Sequence, residues 1–295
     1  MDSFAGKTAV ITGAGSGIGA AMADYAVAQG MKLVLADVDR EGLERVRAGL
    51  ATDDVLVQPT DVTDPAAVAA LADAAWDRFG QVDLLCANAG IVPGGRHRPV
   101  WEYEPADWRW AFGVNVDGVT NCIRSFVPRL LRESRPAHVQ ITGSVAGFVS
   151  GAGSACYGAS KHAVVRVAEA LYAGLRDEQA PIGVTLLAPG LVATRIYDSE
   201  RSRPAHLQAS AGPAAEAPEL QSIADQLYAH ALTPAEAARI TFEGIRENRF
   251  YVFTSDRFDG AIRRRTEAIL ARSNPEFESL LALTKGDVGM TENAS

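Results

Sequence analysis

The sequence has little of what marks several protein classes. Only three of its 295 residues are cysteine, Cys86, Cys122 and Cys156, odd in number and far apart. That argues against a disulfide framework and points to a reducing cytoplasm. The five histidines are scattered without metal-ligand spacing, so no metal is expected. Basic residues are in the minority, 28 against 36 acidic, for a formal charge of -8. This argues against a nucleic-acid footprint, which needs a basic face. No apolar run approaches the roughly 18 residues of a membrane span, and the opening MDSFAGKTAVITG lacks a basic and then apolar leader profile. The expectation is a soluble cytoplasmic protein with neither membrane nor nucleic acid as partner.

What is present is a chain 47% hydrophobic, enough to bury a substantial core. Strand and helix signals alternate. TAVIT (8–12), KLVLAD (32–37), DVLVQPTDV (54–62), VDLLCANAG (82–90), AHVQITGS (137–144), IGVTLLAPG (182–190) and FYVFT (250–254) read as strands. Helices are predicted between them, with Asp64 and Pro65 opening one and Thr233, Pro234 and Glu236 another. The segment 104–134 is predicted as one long helix that Pro128 kinks or shortens. Strands alternating with crossover helices predict an α/β protein, a parallel sheet with helices on both faces. Residues 191–232 lack clear periodicity, and a connection of that length suggests a lid or disorder. One domain over 1–272 is expected, with that lid inside it and a loose polar tail at 273–295.

TGAGSGIG (12–19) joins the first strand to the first helix. Glycines there permit a tight turn and let the backbone approach a pyrophosphate, whose charge is favoured at a helix N-terminus. Asp37 ends the second strand 18 residues beyond Gly19, where an acid can bind the adenosine ribose hydroxyls. Its carboxylate would repel the 2′-phosphate of NADP, so NAD is the expected cofactor. Arg40 leaves NADP as the alternative.

YGASK (157–161) places Tyr157 and Lys161 on one face of a helix. Alone, the pair is equally a half-buried tyrosine beside a solvated lysine. Together with the other motifs, however, the chain resembles the short-chain dehydrogenase/reductase family from about residue 6 to 254. TGAGSGIG resembles its cofactor turn, with Gly13, Ser16, Gly17, Ile18 and Gly19 against the cofactor. Asp61 and Val62 resemble its adenine contact, and Asn88, Ala89 and Gly90 its central-strand motif, with Ala87 where asparagine is usual. Asn115 matches its helix asparagine. Ser144 lies 13 residues before Tyr157, the family interval. Pro189, Gly190, Val192 and Thr194 match the segment that closes over the nicotinamide. The resemblance implies a single Rossmann-type, doubly wound domain with a seven-stranded parallel sheet, assembled as a homodimer or homotetramer.

It also implies roles. Tyr157 would exchange the proton of a secondary alcohol while hydride passes to or from the nicotinamide. Lys161 would bind the nicotinamide ribose and lower the pKa of the phenol. Bringing that pKa from about 10 to about 7 needs roughly 4 kcal/mol of differential stabilisation. Ser144 would orient the substrate oxygen. Asn115 would hold a water linking Lys161 to solvent in a proton relay, a role compatible with its bonding a backbone group and kinking its helix. The lid and the stretch 247–256 resemble bacterial members that oxidise bulky aromatic or alicyclic secondary alcohols, lignin-derived aryl ethers among them. Arg195, Arg201 and Arg203, with the RHR of 96–98, either attract a carboxylate-bearing or phenolic substrate or form a solvated rim. The rival functions are an NADPH-dependent carbonyl reductase and a non-catalytic dinucleotide-binding sensor.

Overall fold

The computed structural model describes residues 1, 3–93, 99–149, 151, 155–208 and 231–275. Its centre is a seven-stranded sheet built from β1 (Thr8–Thr12), β2 (Lys32–Asp37), β3 (Val55–Pro59), β4 (Leu84–Ala87), β5 (Ala137–Thr142), β6 (Ile182–Ala188) and β7 (Tyr251–Phe253). The strand order is β3-β2-β1-β4-β5-β6-β7, and every pairing is parallel. Parallel neighbours require crossovers, and helices supply them: α1 (Gly17–Ala28), α2 (Arg40–Gly49), α3 (Pro65–Phe79), α4 (Pro105–Phe112), α5 (Gly118–Glu133), α6 (Ala155–Asp177) and α7 (Pro234–Arg246), with α8 (Asp259–Ala271) following the last strand. This is the doubly wound arrangement the alternating pattern predicts.

Both faces of the sheet are covered, so β1 and β5 are buried along their whole length. Alternation then sorts neighbouring side chains into two cores. Val10 faces Leu71, Phe126 and Val164 in the layer of α3, α5 and α6. Ile11 faces Met22, Leu43 and Phe242 in the layer of α1, α2 and α7. The caps form as predicted: Ala66 N–H donates to Asp64 at 2.8 Å. Glu236 N–H donates to the Thr233 hydroxyl at 3.2 Å, while Thr233 N–H donates back to Glu236 at 3.0 Å.

The segment 104–134 differs from expectation in an informative way. The interruption is not at Pro128, since α5 continues past it to Glu133. Pro128 and Arg124, whose carbonyl the proline leaves without its helical partner, both lie on the exposed side, open to solvent. Instead, a single π turn over Gly113–Asp117 separates α4 from α5 and places Asn115 in the interior. A helix also follows β7, α8, in a stretch to which the sequence reading assigned no element. Of the predicted lid, 191–208 and 231–232 are described, and Val192 pairs with Leu232 in an isolated parallel bridge. The RHR motif and nearly all of the 273–295 tail lie outside the described residues. No helix among the described residues is long and apolar enough to cross a membrane.

Candidate active site

The strand order reverses at β1, whose neighbours are β2 and β4. Ligands of open α/β sheets bind in the crevice beyond the carboxyl ends of strands at such a point. A cleft of about 1540 Å³ lies there. Every residue predicted for the site lines it except Asn115, which is buried behind it.

Backbone tightness explains the glycines of the first turn. Gly13 has φ +66°, and a β-carbon on it would lie 2.8 Å from Ala89 Cα. A β-carbon on Gly19 would lie 2.1 Å from the Gly13 carbonyl oxygen, so the start of α1 touches the turn itself. Gly19→Ala is therefore expected to shift the turn at a cost of about 1–3 kcal/mol. Calorimetric titration should show weakened dinucleotide binding; unchanged affinity would mean the turn does not meet the ligand.

Asp37 is held at the other side of the turn. Its two carboxylate oxygens accept from Gly15 N–H and Asp39 N–H, both at 2.9 Å. Each oxygen keeps a further lone pair for a ribose hydroxyl. Val38, Asp39 and Glu41 line the same end of the cleft. Arg45, the guanidinium there, pairs with Asp39 and Glu41 at 3.5 and 3.8 Å. Arg40 is exposed and is not part of the cleft lining. Asp61 accepts from Thr63 N–H at 2.9 Å, and Val62 offers its carbonyl to Asn121 at 2.9 Å.

The middle of the cleft rests on a chain of buried and part-buried hydrogen bonds. The Thr12 hydroxyl accepts from Asn88 N–H at 3.0 Å and Ala89 N–H at 3.1 Å. The Asn88 side chain donates to the Thr12 carbonyl at 3.0 Å and accepts from the Thr142 hydroxyl at 2.9 Å. Lys161, itself buried, donates from Nζ to the Thr142 carbonyl at 2.9 Å. Asn115 accepts from Ile91 N–H at 2.9 Å and donates to Ile91 O at 3.1 Å and Ser160 Oγ at 2.9 Å. The geometry displays backbone bonding at a helix distortion, which is compatible with the relay role expected of this residue. The contacts of its side chain are with protein atoms, because the π turn aims it at the loop after β4.

Tyr157 sits near the start of α6, hydrogen-bonded to Ser144. Ser144 caps the short turn after β5 by accepting from Ala146 N–H at 3.1 Å. Lys161 Nζ lies 5.7 Å from the Tyr157 ring centre. Burial pushes the Tyr157 phenol above its usual range, the Ser144 hydrogen bond opposes this and Tyr197 adds to it. Burial alone pushes Lys161 down to about 8. Without a further positive charge the phenol stays protonated.

Sequence reasoning missed the clamps that hold the described part of the lid. Ser199 is buried and accepts from Val92 N–H at 3.2 Å, which ties the lid to the loop after β4. Arg203, read from sequence as rim or substrate attractor, is instead a buried ion-pair partner. Its Nη1 lies 2.8 Å from Asp107 on α4, both side chains being at most 1% exposed. It also reaches Glu200 at 3.1 Å and donates from Nε to Leu207 O at 2.6 Å, and stacks over Trp110 at 5.0 Å. Arg203 and Asp107 are 96 positions apart, so no local pattern signals their pairing. Removing one partner of a buried pair costs about 3–5 kcal/mol. Arg203→Met is expected to lose that much in urea unfolding, and Arg203→Met with Asp107→Leu to recover part of it. Equal losses in both proteins would show that the pair is not the clamp.

At the start of the lid, Thr194 packs over the glycine turn, its Cγ2 lying 3.2 Å from where a β-carbon on Gly17 would be. Pro189 O accepts from Val145 N–H at 3.0 Å, and Gly190 N–H donates to Thr254 at 3.0 Å. The segment predicted to close over the cofactor thus joins both ends of the cleft.

Comparison with known proteins agrees with this geometry. Residues 7–205 match the family model described as short chain dehydrogenase. The chain is 36% identical over 263 residues to a 1-deoxy-11-beta-hydroxypentalenate dehydrogenase from Streptomyces exfoliatus, covering 88% of this chain and 86% of the relative. It is 31% identical to a C alpha-dehydrogenase from a Sphingobium species, covering 92% and 87%. Among solved structures, a short chain dehydrogenase/reductase from Burkholderia phymatum in complex with NAD is 44% identical. That alignment has a TM-score of 0.86 and covers 94% of this chain and 99% of the other. The glycine turn, the reversal point of the sheet and these matches lead to one conclusion: the chain belongs to the short-chain dehydrogenase/reductase family of oxidoreductases.

Proposed function

We propose that this protein is an NAD-dependent dehydrogenase that interconverts a bulky aromatic or alicyclic secondary alcohol and its ketone. The observation that carries the reading is that Ser144, Tyr157 and Lys161, the last with Nζ 5.7 Å from the phenol ring centre, line one end of a cleft that has Asp37 at its far end. The preference for NAD rests on the carboxylates of Asp37, Asp39 and Glu41 gathered there, with Arg45 already paired to two of them. The substrate class rests on the apolar wall of Ile91, Trp110, Val145, Tyr197 and Leu207, and on the hydroxypentalenate named for the Streptomyces relative.

When bound, the nicotinamide supplies the hydride acceptor for oxidation and the hydride donor for reduction. The residues do the rest. Gly13 to Gly19 would receive the pyrophosphate and Asp37 the adenosine ribose, with Asp61 and Val62 beside the adenine. Asn88 to Gly90 and Pro189 to Thr194 would flank the nicotinamide end. Ser144 holds the substrate oxygen and Tyr157 Oη takes its proton in oxidation or returns it in reduction. Lys161 stabilises the phenolate and holds the second ribose. Asn115 acts by fixing Ile91 and Ser160, the residues beside that lysine. The described lid residues, 191–208 and 231–232, would cover the site of a single domain.

The test is turnover of a panel of bulky secondary alcohols with NAD⁺ and with NADP⁺, following reduced-nicotinamide absorbance. NAD⁺ is expected to be preferred at least tenfold, and Asp37→Ala to raise its KM by about tenfold, the worth of one charge-assisted hydrogen bond. Preference for NADP⁺ would overturn the assignment of Asp37. Tight NAD⁺ binding with no turnover of any alcohol would favour the sensor reading.

A further inference from the structure

Charge is segregated along the cleft. The acidic residues lining it, Asp37, Asp39, Glu41 and Asp61, all lie at the adenosine end. Around Ser144 and Tyr157 the charged lining residues are basic: Lys161 and the arginines Arg109, Arg195, Arg201 and Arg265. For a chain of formal charge -8 this concentration is against the overall balance. Of the four arginines, Arg109 is exposed and two others are spoken for. Arg195 pairs with Asp198 at 2.6 Å, and Arg201 donates to the carbonyls of Arg195 and Asp198 at 2.9 and 2.6 Å.

Arg265 is different. It lies on α8, which closes the Ser144 side of the cleft. Ala261 and Ile262 of this helix pack with Phe258 against Val145. Arg265 is one turn further along the same face and half-buried, whereas Arg263 and Arg264 are exposed. Among the described residues it has neither an acidic partner nor a hydrogen-bond acceptor, although it lines the cleft. A guanidinium turned inward beside an apolar wall, with no counter-ion from the chain, is suited to an anion carried in by a ligand.

We infer that the substrate carries a carboxylate and that Arg265 is the residue that receives it. This rests on the alcohol dehydrogenase reading above and makes it narrower. A carboxylate at the end of a bulky apolar body would lie along the wall of Val145 and Leu207. The alcohol would then be presented to Ser144 and Tyr157 by an ion pair at the opposite end of the molecule. Binding energy at this remote point would orient the carbinol carbon.

The experiment is a calorimetric titration of the NAD⁺-loaded protein, in which a ketone probe binds without turning over. The probes are para-acetylbenzoate, its longer biphenyl homologue with acetyl and carboxylate at opposite ends, and the methyl ester of each. At least one acid is expected to bind tenfold or more tightly than its ester. Arg265→Met should erase that preference while leaving ester binding within about threefold, and Arg265→Lys should restore part of it. Because α8 buries little, the methionine variant is expected to fold, and its unchanged NAD⁺ affinity serves as the control. Equal binding of acid and ester at both lengths would overturn the proposal, as would equal weakening of both by Arg265→Met. Failure of the protein to bind NAD⁺ at all would instead remove the cofactor reading beneath it.

Discussion

Tyr157→Phe is expected to lower kcat/KM by about 10³-fold or more in both directions, within the range for losing a positioned acid/base. The ring remains, so packing on α6 is kept and NAD⁺ affinity should stay within about threefold. Only the hydroxyl bonded to Ser144 disappears. The pH dependence carries the same signature. In the empty cleft, burial holds the phenol above its usual range, so no Tyr157 phenolate should form near neutrality. Oxidised cofactor, held by the cleft residues, would supply positive charge beyond that of Lys161. Ultraviolet difference titration should therefore find a phenolate at lower pH once NAD⁺ is added, and none of this change in Tyr157→Phe. Oxidation should speed up as pH rises through that ionisation, because the base must be deprotonated. Reduction should slow down across it, because the acid must be protonated.

Lys161→Met is expected to separate stability from activity. Burial takes the ammonium from 10.5 down to about 8, a differential worth about 3 kcal/mol. The sign follows from proton counting. Between pH 8 and 10.5 the unfolded chain keeps the proton that the folded chain has released, so the lysine contributes stability that rises with pH across this window. Below pH 8 the folded protein carries a desolvated ammonium at full cost. Methionine removes this dependence. The stability of Lys161→Met relative to the parent should thus be about 3 kcal/mol more favourable at pH 7 than at pH 11, offset at all pH values by the lost bond to Thr142 O. Denaturant unfolding at the two pH values reads the difference. Turnover in the same variant should fall by about 10²-fold or more, since the phenol loses the nearest cation. A parallel loss of stability at both pH values, without the pH effect, would place Lys161 among ordinary packing residues.

These two residues were legible in the sequence because the helix repeat puts them on one face, and that face lines the same cleft as the glycine turn. The seven strands were legible for a similar reason: buried parallel strands such as TAVIT and IGVTLLA are short apolar runs bounded by glycine or polar residues. What escaped reading is long-range. The π turn at Asn115 depends on a backbone partner, Ile91, 24 residues away. The burial of Arg203 depends on Asp107, and the lid clamp at Ser199 on Val92. A basic residue in a loop looks the same in sequence whether it faces solvent or a buried carboxylate. The helix α8 escaped because its inward face is thin, Ala261, Ile262 and Arg265, and three arginines in a row mask it.

The most direct test of the central reading follows one atom. NAD⁺ and bulky secondary alcohols deuterated at the carbinol carbon are mixed with the protein and with Tyr157→Phe, and the reduced cofactor is analysed by mass. The account predicts deuterium in the nicotinamide product for the parent protein and almost none at matched times for the variant. Reduced cofactor lacking the label, or labelled product formed equally fast by Tyr157→Phe, would contradict it.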